Sequence, residues 1–235
     1  YRKEDISIEV TDADGNPVSG STVDVNMTDN EFMFGAAISE NEVLDKYIDK
    51  ATLRGQTLDS FMDNDMNVGV AADMLKAYGI RNNDAEVGID MINEFISRGK
   101  RTRGHAIFWD DEGTMPFNRA KQMTYQEIYK QTMDYIRPLV YTFKGSLSQW
   151  DVLNEPHDSN YTREKYNTTR LYTDIFKEVK KIDPEVKLYV NETGMEGRPF
   201  KGYSDRVPNF LNIVKQMQDE GAPIDGIGIQ AHCVN

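Results

Sequence analysis

The feature that most constrains the fold is a sixfold alternation of short apolar segments with longer amphipathic ones. Short apolar strands that alternate with amphipathic helices are typical of an α/β protein with a parallel sheet covered by helices. The spacing of about 30–50 residues per unit is compatible with a doubly wound sheet and with a (β/α)8 barrel. The predicted strands centre on residues 32–38, 66–70, 103–109, 148–153, 187–190 and 224–230, and the predicted helices on 44–62, 87–96, 120–142, 171–182 and 207–217.

No glycine-rich phosphate-binding turn follows any predicted strand. The patterns G-x-G-x-x-G and G-x-x-x-x-G-K-[ST] are both absent from the sequence. Because these turns cradle phosphate groups in nucleotide-binding sheets, their absence removes the main support for a nucleotide-binding doubly wound fold.

The first 30 residues have a different pattern from the rest of the chain. Apolar residues alternate with polar ones over residues 6–10 and again over 23–27, and a turn-rich segment at 12–17 lies between them. We therefore expect residues 1–30 to form a short β-strand extension packed on the main body. Residues 31–235 are expected to form the barrel domain.

The charge balance excludes several classes of partner. The chain has 27 Lys and Arg against 39 Asp and Glu, a net charge of −12. Nucleic-acid binding needs clustered cations, so neither nucleic acid nor an anionic membrane surface is an expected partner.

The single cysteine, Cys233, excludes an internal disulfide and a cysteine-rich zinc site. We expect no metal or cofactor, and a neutral substrate.

Polar side chains follow the predicted strands. In a barrel, reacting groups lie at the carboxyl ends of the strands. Applied from the second strand to the sixth, this rule selects Lys76; His105 and Asp110; Asn154 and Glu155; Asn191 and Glu192; and Gln230 and His232.

The segment at residues 150–156, W-D-V-L-N-E-P, carries the most specific chemistry. A carboxyl at a strand end suits general acid–base catalysis, because partial burial keeps such a group protonated and able to donate to a leaving oxygen. An amide beside it suits a sugar hydroxyl next to the cleaved bond. The alternative is that Glu155 is a charge at a helix N-terminus, with Pro156 in the first turn. Spacing alone leaves both interpretations open.

Residues 150–155 resemble the acid/base motif W-D-V-x-N-E of glycoside hydrolase family 10, the endo-β-1,4-xylanases. Three other segments resemble motifs of this family in the same order. Residues 103–110 resemble R-G-H-x-x-x-W-[HED], residues 188–192 resemble L-x-x-N-[DE], and residues 221–232 resemble G-x-P-I-D-G-I-G-x-Q-x-H. Residues 30–35 resemble a segment that precedes the barrel in many members. Four ordered motifs together are highly specific.

The resemblance implies a (β/α)8 barrel that hydrolyses internal β-1,4-xylosidic bonds in xylan by a retaining double displacement. It implies that Glu155 is the acid/base, that Asn154 binds the sugar 2-hydroxyl and that Lys76 binds substrate. A secreted, periplasmic or cell-surface location is expected only because xylan is a polymer.

The remaining site residues also follow from the resemblance. Asp110 takes the place of a histidine found in many members, and it is expected in the substrate site together with Gln230. His232 matches the residue that hydrogen-bonds the nucleophile. His105 is interpreted as an orienting residue beneath the substrate site, with a satisfied core histidine as the alternative.

The sequence departs from the family pattern at two places. The second-strand motif usually contains a Glu-Asn pair that binds the sugar next to the cleaved bond, and here that pair is Ala72 and Asp73. The sequence also ends at Asn235, before the seventh-strand I-T-E-L-D motif that carries the nucleophile. We therefore expect about six of the eight units here, and the nucleophile in a following segment. The only other glutamate at a strand end, Glu192, aligns with a position that is not the nucleophile.

Three hypotheses remain open. The first is the xylanase just described, with a C-terminal barrel segment or flanking carbohydrate-binding modules as partners. The second is a catalytically incomplete or degenerate barrel that binds xylan. The third is a related hydrolase of another β-1,4-glycan, such as a glucan.

Overall fold

The computed structural model describes residues 6–26, 30–39, 52–72, 74–76, 85–115, 119–195 and 205–231. By contacts, the chain divides into two compact units, Tyr1–Phe32 and Met33–Asn235.

The first unit contains the predicted turn but not the predicted strands. Oδ1 of Asp12 accepts hydrogen bonds from the backbone N–H groups of Asp14 and Asn16 at 3.0 and 2.9 Å. Thr11 and Pro17 form an isolated antiparallel bridge across this turn. No regular strand forms within residues 6–26. The prediction of β-strands was wrong for this range, because a lone two-stranded hairpin is marginally stable without further strands.

The second unit alternates strands and helices as the sequence predicts. The described strands are β1 (Gly35–Ile38), β2 (Val68–Ala71), β3 (Arg101–Trp109), β4 (Gln149–Asn154), β5 (Lys187–Glu192) and β6 (Gly226–Ile229). The described α-helices are α1 (Leu53–Ser60), α2 (Ala85–Ser97), α3 (Tyr125–Phe143), α4 (Tyr161–Tyr166), α5 (Arg170–Ile182) and α6 (Arg206–Asp219). Two short helical turns, Phe61–Asp65 and Ala120–Gln122, complete the set.

The six strands form one parallel sheet in the order β1-β2-β3-β4-β5-β6. A doubly wound sheet reverses its strand order at a switch point, whereas a (β/α)8 barrel keeps the order of the sequence. The strictly sequential order therefore decides between the two architectures. The sheet is the arrangement of an incomplete (β/α)8 barrel, with β1 and β6 at its edges.

Specific residues mark the ends of the helices. Thr124 and Glu127 form a reciprocal capping box at the start of α3. α5 ends at Ile182, directly before Asp183 and Pro184, and α6 is followed by Gly221 at φ 87°. One apolar face of α5 packs into the core with Leu171, Ile175, Phe176, Val179 and Ile182 all buried.

A close approach between β3 and β4 depends on glycine. Gly104 is in register with Trp150, whose side chain is almost fully buried. A Cβ atom at position 104 would lie 2.1 Å from Cε3 of the Trp150 ring. Only glycine allows the indole ring to lie against this strand.

Over the part of the chain that the structure describes, no helix combines the length and apolarity needed to cross a membrane.

Candidate active site

The carboxyl ends of the strands surround a cavity of about 840 Å³. Five of the seven predicted site residues line it, namely Lys76, His105, Asn154, Glu155 and Gln230. His232 lies outside the described residues, and Asp110 does not line the cavity. Ala72 does line it, at the position where the family pattern has glutamate. Its predicted neighbour in that pair, Asp73, is not among the described residues.

Glu155 follows β4 in the left-handed backbone conformation, with φ 52°. Its N–H donates to the carbonyl of Asn191 at 2.7 Å, and its own carbonyl accepts from the N–H groups of Asp158 and Ser159 at 3.1 and 2.7 Å. Consecutive residues of a strand point to opposite faces. The change of backbone direction at Glu155 lets both Asn154 and Glu155 line the same cavity.

The interpretation of Glu155 as a helix N-terminal charge is wrong. Pro156 lies in a turn, and the next helix, α4, begins only at Tyr161. The Glu155 carboxylate instead faces the cavity, where Oε1 accepts a hydrogen bond from Nε2 of Gln230 at 2.6 Å. The N–H of Gln230 donates to the carbonyl of Glu192 at 3.0 Å, so the end of β5 supports this amide.

Asn154 is held by its neighbour in the sheet. Nδ2 of Asn191 donates to Oδ1 of Asn154 at 2.8 Å, and the two residues are in register between β4 and β5. Both are buried. This hydrogen bond fixes the orientation of the Asn154 amide at the cavity wall, which is what recognition of one particular hydroxyl requires.

A buried ion-pair cluster forms the floor of the cavity. Asp151 is 5% exposed at its side chain, and Nδ1 of His105 lies 2.9 Å from its Oδ2 atom. The Arg103 guanidinium contacts both carboxylate oxygens of Asp151, and Nη1 of Arg103 donates to Gln149 at 2.5 Å. Burial opposes ionisation of Asp151, but His105 and Arg103 outweigh it and hold the pKa of Asp151 below its ordinary value. Asp151 therefore fixes the orientation of the His105 ring. The interpretation of His105 as a residue that orients other groups in the substrate site stays a prediction.

Lys76 and Trp109 form another part of the wall. Nζ of Lys76 lies 5.7 Å from the centroid of the Trp109 ring, within cation–π range. Nε1 of Trp109 donates to Oγ of Ser159 at 2.7 Å, which fixes the indole plane. The half-buried ring presents an apolar surface beside polar groups, a combination that suits a sugar ring.

The structure corrects the expectation for Asp110. This residue is completely buried, and its carboxylate accepts hydrogen bonds from Tyr172, from the N–H and hydroxyl of Thr162, and from the N–H of Arg163. Burial raises the pKa of Asp110 to about 6, although these hydrogen bonds act in the opposite direction. Asp110 thus anchors the first turn of α4 to the end of β3, and it does not face the cavity. The helix α4 was not predicted from the sequence.

Glu192 also lies away from the cavity. Its neighbour Asn191 lines the cavity, so alternation along β5 directs Glu192 to the opposite face. Its carboxylate is fully buried and accepts from the N–H groups of His157 and Thr193, both at 2.9 Å. Burial raises the pKa of Glu192, even though Arg206 lies within 3.4 Å. Glu192 is therefore not placed to act on a substrate in this cavity.

Arg103, Trp109 and Asp151 line the cavity but were not predicted from the sequence. Asn191, which the strand-end rule selects, lines it as well. The signal was present for Arg103, because it is two residues before His105 and shares its face of β3. Among the described residues that line the cavity, only Asp151 and Glu155 carry carboxylates, and Asp151 is paired with Arg103. The described part of the chain contains no group of three or more His, Cys, Asp or Glu side chains able to hold a metal ion.

Two curated proteins are similar in sequence to this chain over almost its full length. Endo-1,4-beta-xylanase 1 of Arabidopsis thaliana is 27% identical over 236 residues, covering 98% of this chain and 23% of the xylanase. The anti-sigma-I factor RsgI6 of Acetivibrio thermocellus is 26% identical over 238 residues, covering 98% of this chain and 28% of that protein. The chain thus spans about a quarter of the length of these curated relatives.

A solved structure shows the same fold. The structure of GH10 from Paenibacillus barcinonensis superposes with a TM-score of 0.66 at 20% identity, covering 86% of this chain and 60% of that one. The family model described as Glycosyl hydrolase family 10 matches residues 24–235. Since that match covers nearly the whole sequence, the chain belongs to glycosyl hydrolase family 10.

Proposed function

We propose that this chain supplies the acid/base side of the active site of a retaining endo-β-1,4-xylanase, with Glu155 as the acid/base. The observation that carries the proposal is the placement of Glu155. It follows β4 in a left-handed turn, lines the cavity at the strand ends and is held there by Gln230. Family membership and the xylanase relatives support the choice of xylan.

In this mechanism Glu155 first donates its proton to the glycosidic oxygen as the bond to the sugar breaks. In the second step the ionised carboxylate takes a proton from the water that attacks the glycosyl-enzyme intermediate. Asn154, oriented by Asn191, binds the 2-hydroxyl of the sugar, while Lys76 and Trp109 contact the sugar from another wall of the cavity.

The retaining mechanism also needs a nucleophilic carboxylate about 5–5.5 Å from the acid/base. Of the described carboxylates near the cavity, Asp151 is committed to Arg103 and His105, and Glu192 does not line the cavity. The proposal therefore assigns the nucleophile to a segment that follows residue 235 and completes the barrel. A polymeric substrate further leads us to propose that the protein acts in the periplasm, at the cell surface or after secretion.

The test compares the intact natural protein with its Glu155→Gln variant, using reducing-sugar release from xylan and from a soluble cellulose derivative. We expect the wild type to act on xylan, and we expect the variant to lose at least about 100-fold in rate with an unchanged melting temperature. The exposed Glu185→Gln change is the matched control and should have no effect. Full activity of the Glu155→Gln variant would refute the acid/base assignment, and a preference for cellulose would favour a glucan hydrolase.

A second candidate function is xylan binding without hydrolysis. Two observations favour it, namely a relative named as an anti-sigma factor that matches over the same extent, and Ala72 in place of the sugar-binding glutamate. Binding of xylo-oligosaccharides with no sugar release by the intact wild-type protein would support this candidate over the enzyme.

A further inference from the structure

Arg206, at the start of α6, joins two segments that follow neighbouring strands. Its Nη1 and Nη2 atoms contact the two carboxylate oxygens of Asp158 at 2.9 and 2.5 Å. Nη2 also lies 3.4 Å from Oε1 of Glu192, and Nε donates to the carbonyl of Thr193 at 2.9 Å. We call Arg206, Asp158 and Glu192 the Arg206 clamp.

Each carboxylate of the Arg206 clamp belongs to a segment that holds Glu155. Asp158 closes the turn after β4, where its N–H donates to the carbonyl of Glu155 at 3.1 Å. Glu192 ends β5, and its Oε2 atom accepts from the N–H of His157 in the same turn. The carbonyl of Glu192 accepts from the N–H of Gln230, whose side chain donates to the Glu155 carboxylate. Both the backbone and the carboxylate of Glu155 are thus connected to the clamp.

Burial and the contact geometry both stabilise the clamp. The side chain of Arg206 is 11% exposed and that of Glu192 is 0% exposed, so the two charges depend on each other for solvation. A two-pronged contact between guanidinium and carboxylate fixes orientation as well as distance. Asp158, which is 46% exposed, is then held against Arg206 at the edge of the turn.

We propose that Arg206 is a positioning residue for the acid/base, and that it acts through Asp158 and Glu192 to fix the turn that carries Glu155. The inference rests on the proposed function of Glu155. Arg206 does not line the cavity, so it affects the reaction only through the placement of the carboxyl group. Loss of the clamp impairs proton donation to the leaving group more than it impairs substrate binding, since proton transfer depends most steeply on alignment.

The test uses the intact natural protein and two aryl β-xylobiosides. Phenol is a poor leaving group and needs protonation by the enzyme, whereas 2,4-dinitrophenol leaves without it. For Arg206→Met we expect kcat/KM for the phenyl substrate to fall about tenfold more than for the dinitrophenyl substrate. The Glu155→Gln variant should show the same dependence more strongly. A merely structural role would lower both rates by one factor.

Asp158→Asn provides the second variant, because a change at this exposed position disturbs the core least. We expect the Asp158→Asn variant to show the same leaving-group dependence in weaker form. Arg137→Met is the matched control, since Arg137 has an exposed ion pair with Glu178 on neighbouring helices. The positioning role would be overturned if kcat/KM fell by the same factor on the two substrates, or did not fall at all, in both clamp variants. That result would leave the proposed function intact. A wild-type protein inactive on both substrates would overturn the proposed function and this inference with it.

Discussion

Nε2 of Gln230 donates a hydrogen bond to Oε1 of Glu155 at 2.6 Å, across 75 residues of sequence. The contact joins the end of β6 to the end of β4 and restricts rotation of the Glu155 carboxylate. A proton donor in a glycoside hydrolase must keep its carboxyl aimed at the glycosidic oxygen. Gln230 therefore connects the sheet edge at β6 to the proposed acid/base.

Replacing Gln230 with alanine should lower kcat about tenfold, because the Glu155 carboxylate then rotates more freely. The measurement is steady-state hydrolysis of a xylo-oligosaccharide by the intact natural protein. Gln218→Ala, on the exposed face of α6, is the matched control and should leave kcat unchanged. Identical kcat values for the two variants would show that the contact does not position Glu155.

The change Asp151→Asn should destabilise the protein by about 3 kcal/mol at neutral pH, because it leaves the Arg103 guanidinium without its buried partner. The pKa of Asp151 lies below its ordinary value in the folded protein. The stabilisation that the ionised Asp151 contributes is therefore present above its ordinary pKa, and it is lost as the pH falls through the pKa of Asp151 in the folded protein. Urea unfolding should show a wild-type advantage that is largest near neutrality and shrinks in acid.

Asp134→Asn is the control for this measurement, since Asp134 pairs with Lys130 on the surface of α3. An exposed pair of this kind contributes less than about 1 kcal/mol. Equal unfolding midpoints for the Asp151 and Asp134 variants would contradict the assignment of a buried ion-pair cluster.

The change Asp110→Asn should give the opposite pH dependence. Burial raises the pKa of Asp110 to about 6, so the folded state favours its protonated form. The stabilisation is present below the ordinary pKa of 3.8 and is lost as the pH rises through about 6. The free energy of unfolding of the wild type relative to this variant should fall by up to about 3 kcal/mol over that interval. A difference that does not vary with pH would be evidence against burial as the dominant effect.

The change Gly104→Ala should cost about 1–3 kcal/mol or more, because the new methyl group overlaps the buried Trp150 ring. The measurement is the melting temperature. Gly113→Ala is the matched control, since the nearest atom to a Cβ there is a flexible Asp111 oxygen at 3.2 Å. The Gly104 variant should melt several degrees lower than the control. Equal melting temperatures would disprove the close contact between Gly104 and the Trp150 ring.

The order of strands and helices was predictable from the sequence, and so were Asn154 and Glu155 as cavity residues. Helical and strand periodicities act over a few residues, so local composition is enough to predict where these elements lie. The alternation over residues 6–10 and 23–26 satisfied the same local rule without forming strands, because strands also need partners.

The sequence by itself determined the βα alternation, the turn at residues 12–17 and the polar residues at the strand ends, since each depends on local composition. Only the tertiary structure decided which of those polar side chains share a cavity. Glu155 directly follows β4 and Glu192 ends β5. The left-handed turn nevertheless directs Glu155 into the cavity, while the regular alternation of β5 directs Glu192 away from it. Asp110 is covered by α4, whereas Asp151 lies beneath the cavity. These differences depend on backbone dihedrals and on packing between distant segments, which no local pattern specifies.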